Sequence, residues 1–232
     1  MARMRSAKQA LEKSLQSPGW REELPAIAAG GVPHVGPLFS FLLREPLLMH
    51  PPALAHGHTV ARRAAAEPEA GRNVVRRYMW HMNEESGNIG WGIPEAFGET
   101  LAASASLARD FHRVLISYII HLDRDDNYCD HAQLRRSCYW AVGRLAQARP
   151  ELGGFARPWL HKGLDDEDIV CRGMAAWALG QLPRDIMDAP ALRRLAEAGH
   201  GEICLIFDGE SVQEKSVSLL AREAAGLGAG NL

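Results

Sequence analysis

The sequence predicts a mainly α-helical chain, an α-α superhelix closed by a small C-terminal β-hairpin and a capping helix. Three observations carry this. Along residues 164–182, Leu164, Cys171, Ala175, Ala178 and Leu182 recur at steps of seven, four, three and four residues, which places them on one helix face. An Ala-x-Gly signature returns along the chain. Near the C-terminus the helical pattern gives way to the β-prone run Ile203 to Phe207, the turn dipeptide Asp208-Gly209 and a return strand, Val212 to Val217.

The 165–182 stretch is the template. Asp165, Asp166, Glu167 and Asp168 precede its helix, where negative charge suits the positive end of the helix dipole. Asp168 and Arg172 stand four apart and are expected to pair on the helix surface. Ala175, Ala176, Ala178 and Gly180 are small enough to admit a close neighbour, and Pro183 ends the helix because it has no N–H for the ladder. Ala178-Leu179-Gly180 has copies at Ala141-Val142-Gly143, Ala96-Phe97-Gly98 and Ala55-His56-Gly57, with glycines separated by 37, 45 and 41 residues. Such periods are those of HEAT and armadillo repeats, each a pair of helices.

In order, residues 5–16 read as a surface helix and Trp20 to Ala29 as a second helix, the two capping the first repeat, so that 1–36 forms a cap, 37–200 the repeats and 201–232 the hairpin and final helix. Pro37 to Arg44 reads as an outer helix. Pro46, Pro51 and Pro52 bound the segment that runs on as a helix through His56, Val60 and Arg63. Val74 to Met82 and Trp91 to Leu101 follow, then 106–121 and Ala132 to Ala148. A short outer helix lies within 150–163, the template comes next, then Ala189 to Ala198, and Ser218 to Ala225 closes the chain. The hairpin is read either as a cover for the open end of the stack or as a small docking module.

With 232 residues and 47% hydrophobic content, the chain can bury a sizeable core. Its net charge of −2, from 26 basic and 28 acidic residues, leaves no global footprint for nucleic acid. Cys129, Cys138, Cys171 and Cys204 form no CxxC pair and read as reduced thiols. No run is apolar enough for a signal peptide or a membrane span, so a cytoplasmic protein is expected.

Two loops carry the candidate chemistry. The segment 83–91 combines Glu84, Glu85 and Asn88 with two glycines and Trp91, next to His81, and it opens a helix bearing Glu95. Loops on a rigid scaffold often carry function, although this one also reads as an irregular connection plugged by Trp91. Trp140 and Trp177 hold the same place in two repeats, three before the glycine, and form a row that is either core or an aromatic platform for a partner. The second loop holds His121, Asp123, Asp125, Asp126, Asn127, Cys129, Asp130 and His131. Its metal candidates are His121, Asp123, Asp126 and His131. Asp123, Asp125 and Asn127 echo a calcium loop, but Tyr128 stands where that loop needs glycine and Leu134 where it needs glutamate. A solvated acidic loop capping the next helix is the plainer reading.

RRYMWHMNEESGNIGWGIPEAFGE, RRSCYWAVGRLAQARPEL and RGMAAWALGQL resemble a HEAT-like, armadillo-type repeat protein, and more narrowly a small bacterial family without assigned activity. The resemblance implies a helical stack that binds proteins on its concave side, and it carries over no catalytic residue. Among enzyme-like relatives, the di-iron class needs His-Glu dipeptides, and none of the ten histidines precedes Glu. The alkylpurine glycosylase class needs a basic groove, whereas 121–131 and 165–168 are acidic. Nothing distinguishes a bilin-lyase chromophore site. The expectation is therefore a non-catalytic scaffold or adaptor without cofactor, binding another protein through His81, Glu84, Glu85, Asn88, Trp91, Glu95, Trp140 and Trp177. The rival is an enzyme or ligand-binding protein with a site between loops 83–91 and 121–131.

Overall fold

The computed structural model describes residues 2–43, 46–83, 90–122 and 126–227, and the chain is mainly α-helical with one antiparallel hairpin. It divides into two compact units, 1–108 and 109–232.

In the first unit, α1 (Ala2–Leu15), α2 (Trp20–Ala29) and α3 (Val32–Phe41) precede the long α4 (Pro46–Ala66), followed by α5 (Pro68–Met82) and α6 (Ile93–Ala103). Helix α4 is the hub, packing on α6 and also on α2, α3 and α5. Small residues make that approach possible: a Cβ on Gly57 would stand 2.7 Å from the backbone carbon of Glu99. From Ile93 to Leu101 every residue of α6 is buried. Gly92, at φ +71°, is required before it, because only glycine is comfortable there and its backbone lies against that of Leu42.

Two prolines depart from expectation. Pro51 and Pro52 do not bound α4 but lie inside it. Each forfeits one ladder bond, and burial of Pro52, with Met49, Ala53 and Leu54 around it, offsets the loss. Pro37 likewise lies within α3, whose Leu38 and Phe41 are core residues.

The second unit begins within α7 (Ala105–Ser117). It contains α8 (Ala132–Ala148), α9 (Pro150–Gly153), a 3₁₀ turn over Gly154–Ala156, α10 (Arg157–Gly163), α11 (Ile169–Gly180) and α12 (Ala189–Glu197). Strands β1 (Ile203–Phe207) and β2 (Val212–Ser216) and helix α13 (Val217–Ala224) complete it. Helices α8, α11 and α13 stack in a row, with α9 against α8, α10 against α11 and α12 against α13. This is the two-layer repeat that the Ala-x-Gly spacing predicts. Side chains start three of these helices: His131 accepts from Leu134 N–H (3.4 Å), Asp168 from Cys171 N–H (2.9 Å) and Ser216 from Leu219 N–H (3.2 Å).

The hairpin pairs Ile203 with Ser216 through Phe207 with Val212. Asp208 accepts from Glu210 and Ser211 N–H, and Gly209 takes φ +98°. Cys204, Ile206 and Phe207 are buried, and Cys204 lies over Gly173 of α11. The hairpin thus packs on the template helix, beside α13.

Candidate functional site

In the first unit, the region flanking the 83–91 loop is a run of aromatic rings. The exposed Trp80 meets His81 edge-on at 4.9 Å, and His81 meets Phe39 at 5.0 Å. Phe39 stacks near Tyr78 at 6.3 Å, and the Tyr78 hydroxyl lies 3.1 Å from Thr100 Oγ1. Beneath these rings His56 is fully buried, with Phe39 and Tyr78 at 5.8 and 5.7 Å. Burial, reinforced by the nearby Arg77 charge, lowers its pKa to about 3, and neither ring nitrogen has a hydrogen-bond partner among the described residues. His81 and Trp91 are half-buried, while Glu95 and Glu99 are buried. Glu84, Glu85 and Asn88 lie outside the described residues.

In the second unit, residues 119–122 and 128–130 and the 162–167 turn line a cleft of about 540 Å³. Its floor is an ion pair. Arg135 donates from Nε and Nη2 to the two carboxylate oxygens of Asp166, both at 2.8 Å, and from Nη1 to the carbonyls of Cys129 and Asp130, both at 2.9 Å. The two side chains are 6% and 2% exposed, so solvent screens little of this attraction. The Tyr139 hydroxyl donates to Asp166 at 3.3 Å, and Tyr128 lies against the guanidinium at 4.9 Å. Burial and the Asp166 charge push the Tyr128 phenol up to about 12.

The turn itself is tied down from both ends. Asp166 Oδ1 accepts from Asp168 N–H at 2.9 Å, and the Asp166 carbonyl accepts from Arg172 Nε at 2.5 Å. Asp168 does not pair with Arg172 as expected. Its carboxylate accepts two bonds from Arg136 of the preceding repeat, at 2.9 and 2.5 Å, while capping α11. Arg136 together with the cap lowers the Asp168 pKa to about 2. Arg172 is left to the Asp166 carbonyl, since Arg136 occupies both oxygens of Asp168.

Around the mouth stand Asp130, Asp165 and Glu167, all exposed, with no ion-pair partner among the described residues. Lys162, the remaining cation of the lining, is drawn over Trp159 at 4.7 Å. His121 lies against Tyr128 at 4.6 Å, and its Nδ1 is 4.0 Å from Asp126.

Two of the four metal candidates, Asp126 and His131, hold local structure. The Asp126 carboxylate accepts from Leu122 N–H (2.6 Å) and Tyr128 N–H (2.9 Å), and His131 caps α8. Asp123 lies outside the described residues. Among the described residues no group of three His, Cys, Asp or Glu side chains is arranged to hold a metal. All four cysteines are buried and free. The neighbouring Cys138 thiol and Arg135 lower the pKa of Cys129, whereas burial raises those of Cys171 and Cys204, the latter to about 12.

Trp140 is 2% exposed and stacks on the half-buried Trp177, with ring centroids 6.2 Å apart. Sequence reasoning missed Arg135, Asp166, Tyr128 and Tyr139 as a constellation. A signal was present: Arg135 and Arg172 both stand five residues before the repeat tryptophan, and both bind Asp166, one through its side chain and the other through its carbonyl.

No helix among the described residues is long and apolar enough to cross a membrane. No protein-family model matches the chain, and no curated protein sequence matches it. Among solved structures it is similar to a designed armadillo repeat protein in complex with the peptide (KR)4, at 18% identity and a TM-score of 0.44, over 94% of this chain and 98% of that one. The helices and their stacking make this a mainly α-helical repeat fold with a C-terminal hairpin.

Proposed function

We propose that this chain is a non-catalytic scaffold for a protein partner, and that the cleft of the second unit receives a basic segment of it. One observation carries this reading. Asp130, Asp165 and Glu167 crowd the mouth of the cleft, while Asp166 already neutralises the one arginine at its floor. The field at the mouth is therefore negative, and the tyrosine and histidine rings on its wall suit a guanidinium or ammonium group. The floor contributes rigidity, since its charged and hydroxyl groups are engaged with one another. Kinship with the small bacterial repeat family resembled by residues 76–99, 135–152 and 172–182 belongs to the same proposal.

Fluorescence anisotropy with a labelled oligoarginine peptide tests it, with oligoglutamate as control. The expected result is salt-sensitive binding of the basic peptide alone, weakened about tenfold or more when Asp130→Asn, Asp165→Asn and Glu167→Gln are combined. These side chains are exposed, so the melting temperature should hold. Undiminished affinity in the triple variant would sink the assignment.

A further inference from the structure

A second surface lies in the first unit, on the outward face of α5. The helix packs through Ala70, Gly71, Val75 and Tyr78. On the opposite side the stripe Glu69, Arg72, Asn73, Arg76, Trp80 follows three- and four-residue spacing, so these residues share one face. Trp80, at the C-terminal end of this stripe, is 61% exposed. A tryptophan that the helix does not need for its own packing leaves a large apolar ring in water. The ring is not isolated: Trp80, His81 and Phe39 touch in sequence at 4.9 and 5.0 Å, which extends the apolar area onto α3.

Arginines frame this strip. Arg72 and Arg76, with side chains 37% and 51% exposed, flank Trp80 on one side. Arg77 flanks it on the other, its guanidinium 4.3 Å from the Phe39 ring centre. Glu69 is the only acid of α5 and is shared between Arg72 and Arg76, so the helix itself contributes three arginines against one acid. An apolar anchor surrounded by guanidinium groups is the composition of an interface centre, in which tryptophan and arginine supply most of the binding energy.

We propose that this face of α5 docks an acidic segment of a protein partner, with an apolar side chain of that segment laid on Trp80 and its carboxylates on Arg76 and Arg77. Charge complementarity selects the occupant. Glu69, set between Arg72 and Arg76, accommodates a short segment with interrupted acids but repels a continuous line of phosphates. The inference is independent of the acidic cleft, whose probe carries the opposite charge.

The test is anisotropy with a labelled peptide alternating two glutamates with one leucine, beside its lysine counterpart and a single-stranded oligothymidylate. The native chain should bind the acidic peptide at low salt. Trp80→Ala should weaken binding about tenfold or more. Arg76→Glu with Arg77→Glu should abolish it, and Trp80→Tyr should largely retain it. Because Trp80 is exposed, Trp80→Ala should leave the melting temperature unchanged, which separates docking from unfolding. Absence of binding by the native chain, equal affinity in Trp80→Ala, or tighter binding of oligothymidylate than of the acidic peptide would each overturn the proposal.

Discussion

The indole of Trp177 lies parallel to that of Trp140, with planes 2° apart, and its six-membered ring occupies the space over Gly143. One repeat's glycine therefore receives the next repeat's tryptophan. That contact fixes the register between α8 and α11, and it predicts the outcome of the mildest substitution. Gly143→Ala improves intrinsic helix propensity, yet its Cβ would enter the Trp177 ring. Overpacking of this kind costs about 1–3 kcal/mol. Urea denaturation should show that loss, and adding Trp177→Leu should recover part of it.

The Arg135–Asp166 pair predicts a larger effect. Removing one partner leaves a buried, uncompensated charge, so Arg135→Met should destabilise the chain by about 3–5 kcal/mol. The double variant Arg135→Met with Asp166→Leu should lose less than the sum of the two single variants. Strict additivity in chemical denaturation would mean that the two groups are not energetically coupled.

Stability should fall as the pH drops below neutrality. The folded protein keeps His56 neutral down to about pH 3, whereas the unfolded chain takes up that proton near 6.5. The unfolded state thus binds more protons in this window, which lowers stability by about 1.4 kcal/mol per pH unit. His50, lowered by burial to about 4, adds to the upper part of the window. His56→Leu should reduce the slope of unfolding free energy between about pH 6 and 5 by about one proton. An unchanged slope would show that His56 accepts its proton without unfolding.

Asp168 acts at lower pH. Its folded pKa is depressed, so its contribution is complete above the ordinary carboxylate range and is lost as pH falls towards about 2. Asp168→Ala removes the α11 cap and the Arg136 partner together, and should cost about 1–2 kcal/mol at neutral pH. Asp168→Asn keeps the cap and should cost less. Thermal melts of both variants check the ordering.

Much of the architecture was legible because it depends on local periodicity. The alanines and glycines of 165–182, the aligned Trp140 and Trp177 and the β-prone 203–217 run each report on neighbours within a turn or two. Pro51 and Pro52 misled because proline's local penalty is visible in sequence, whereas the burial around α4 that offsets it is not. The Arg172 partner misled for a related reason. Spacing along one helix permits an Asp168–Arg172 pair, but Arg136, thirty-two residues earlier, meets Asp168 in a two-pronged geometry that a flexible surface pair cannot match.

By itself the sequence determined the repeat period, the helix faces and the hairpin, because backbone geometry converts spacing into faces without reference to the rest of the chain. Tertiary structure alone decided which acids became structural and which remained at the surface. Asp165, Asp166 and Glu167 are near-equivalent in sequence, yet only Asp166 is aimed at Arg135 and buried, while the other two face solvent. Charges pair by distance in space, and stacking α8 on α11 brings residues thirty-one apart to hydrogen-bond contact. The same stacking left the cleft rim acidic and, in the other unit, packing through Tyr78 turned Trp80 outward.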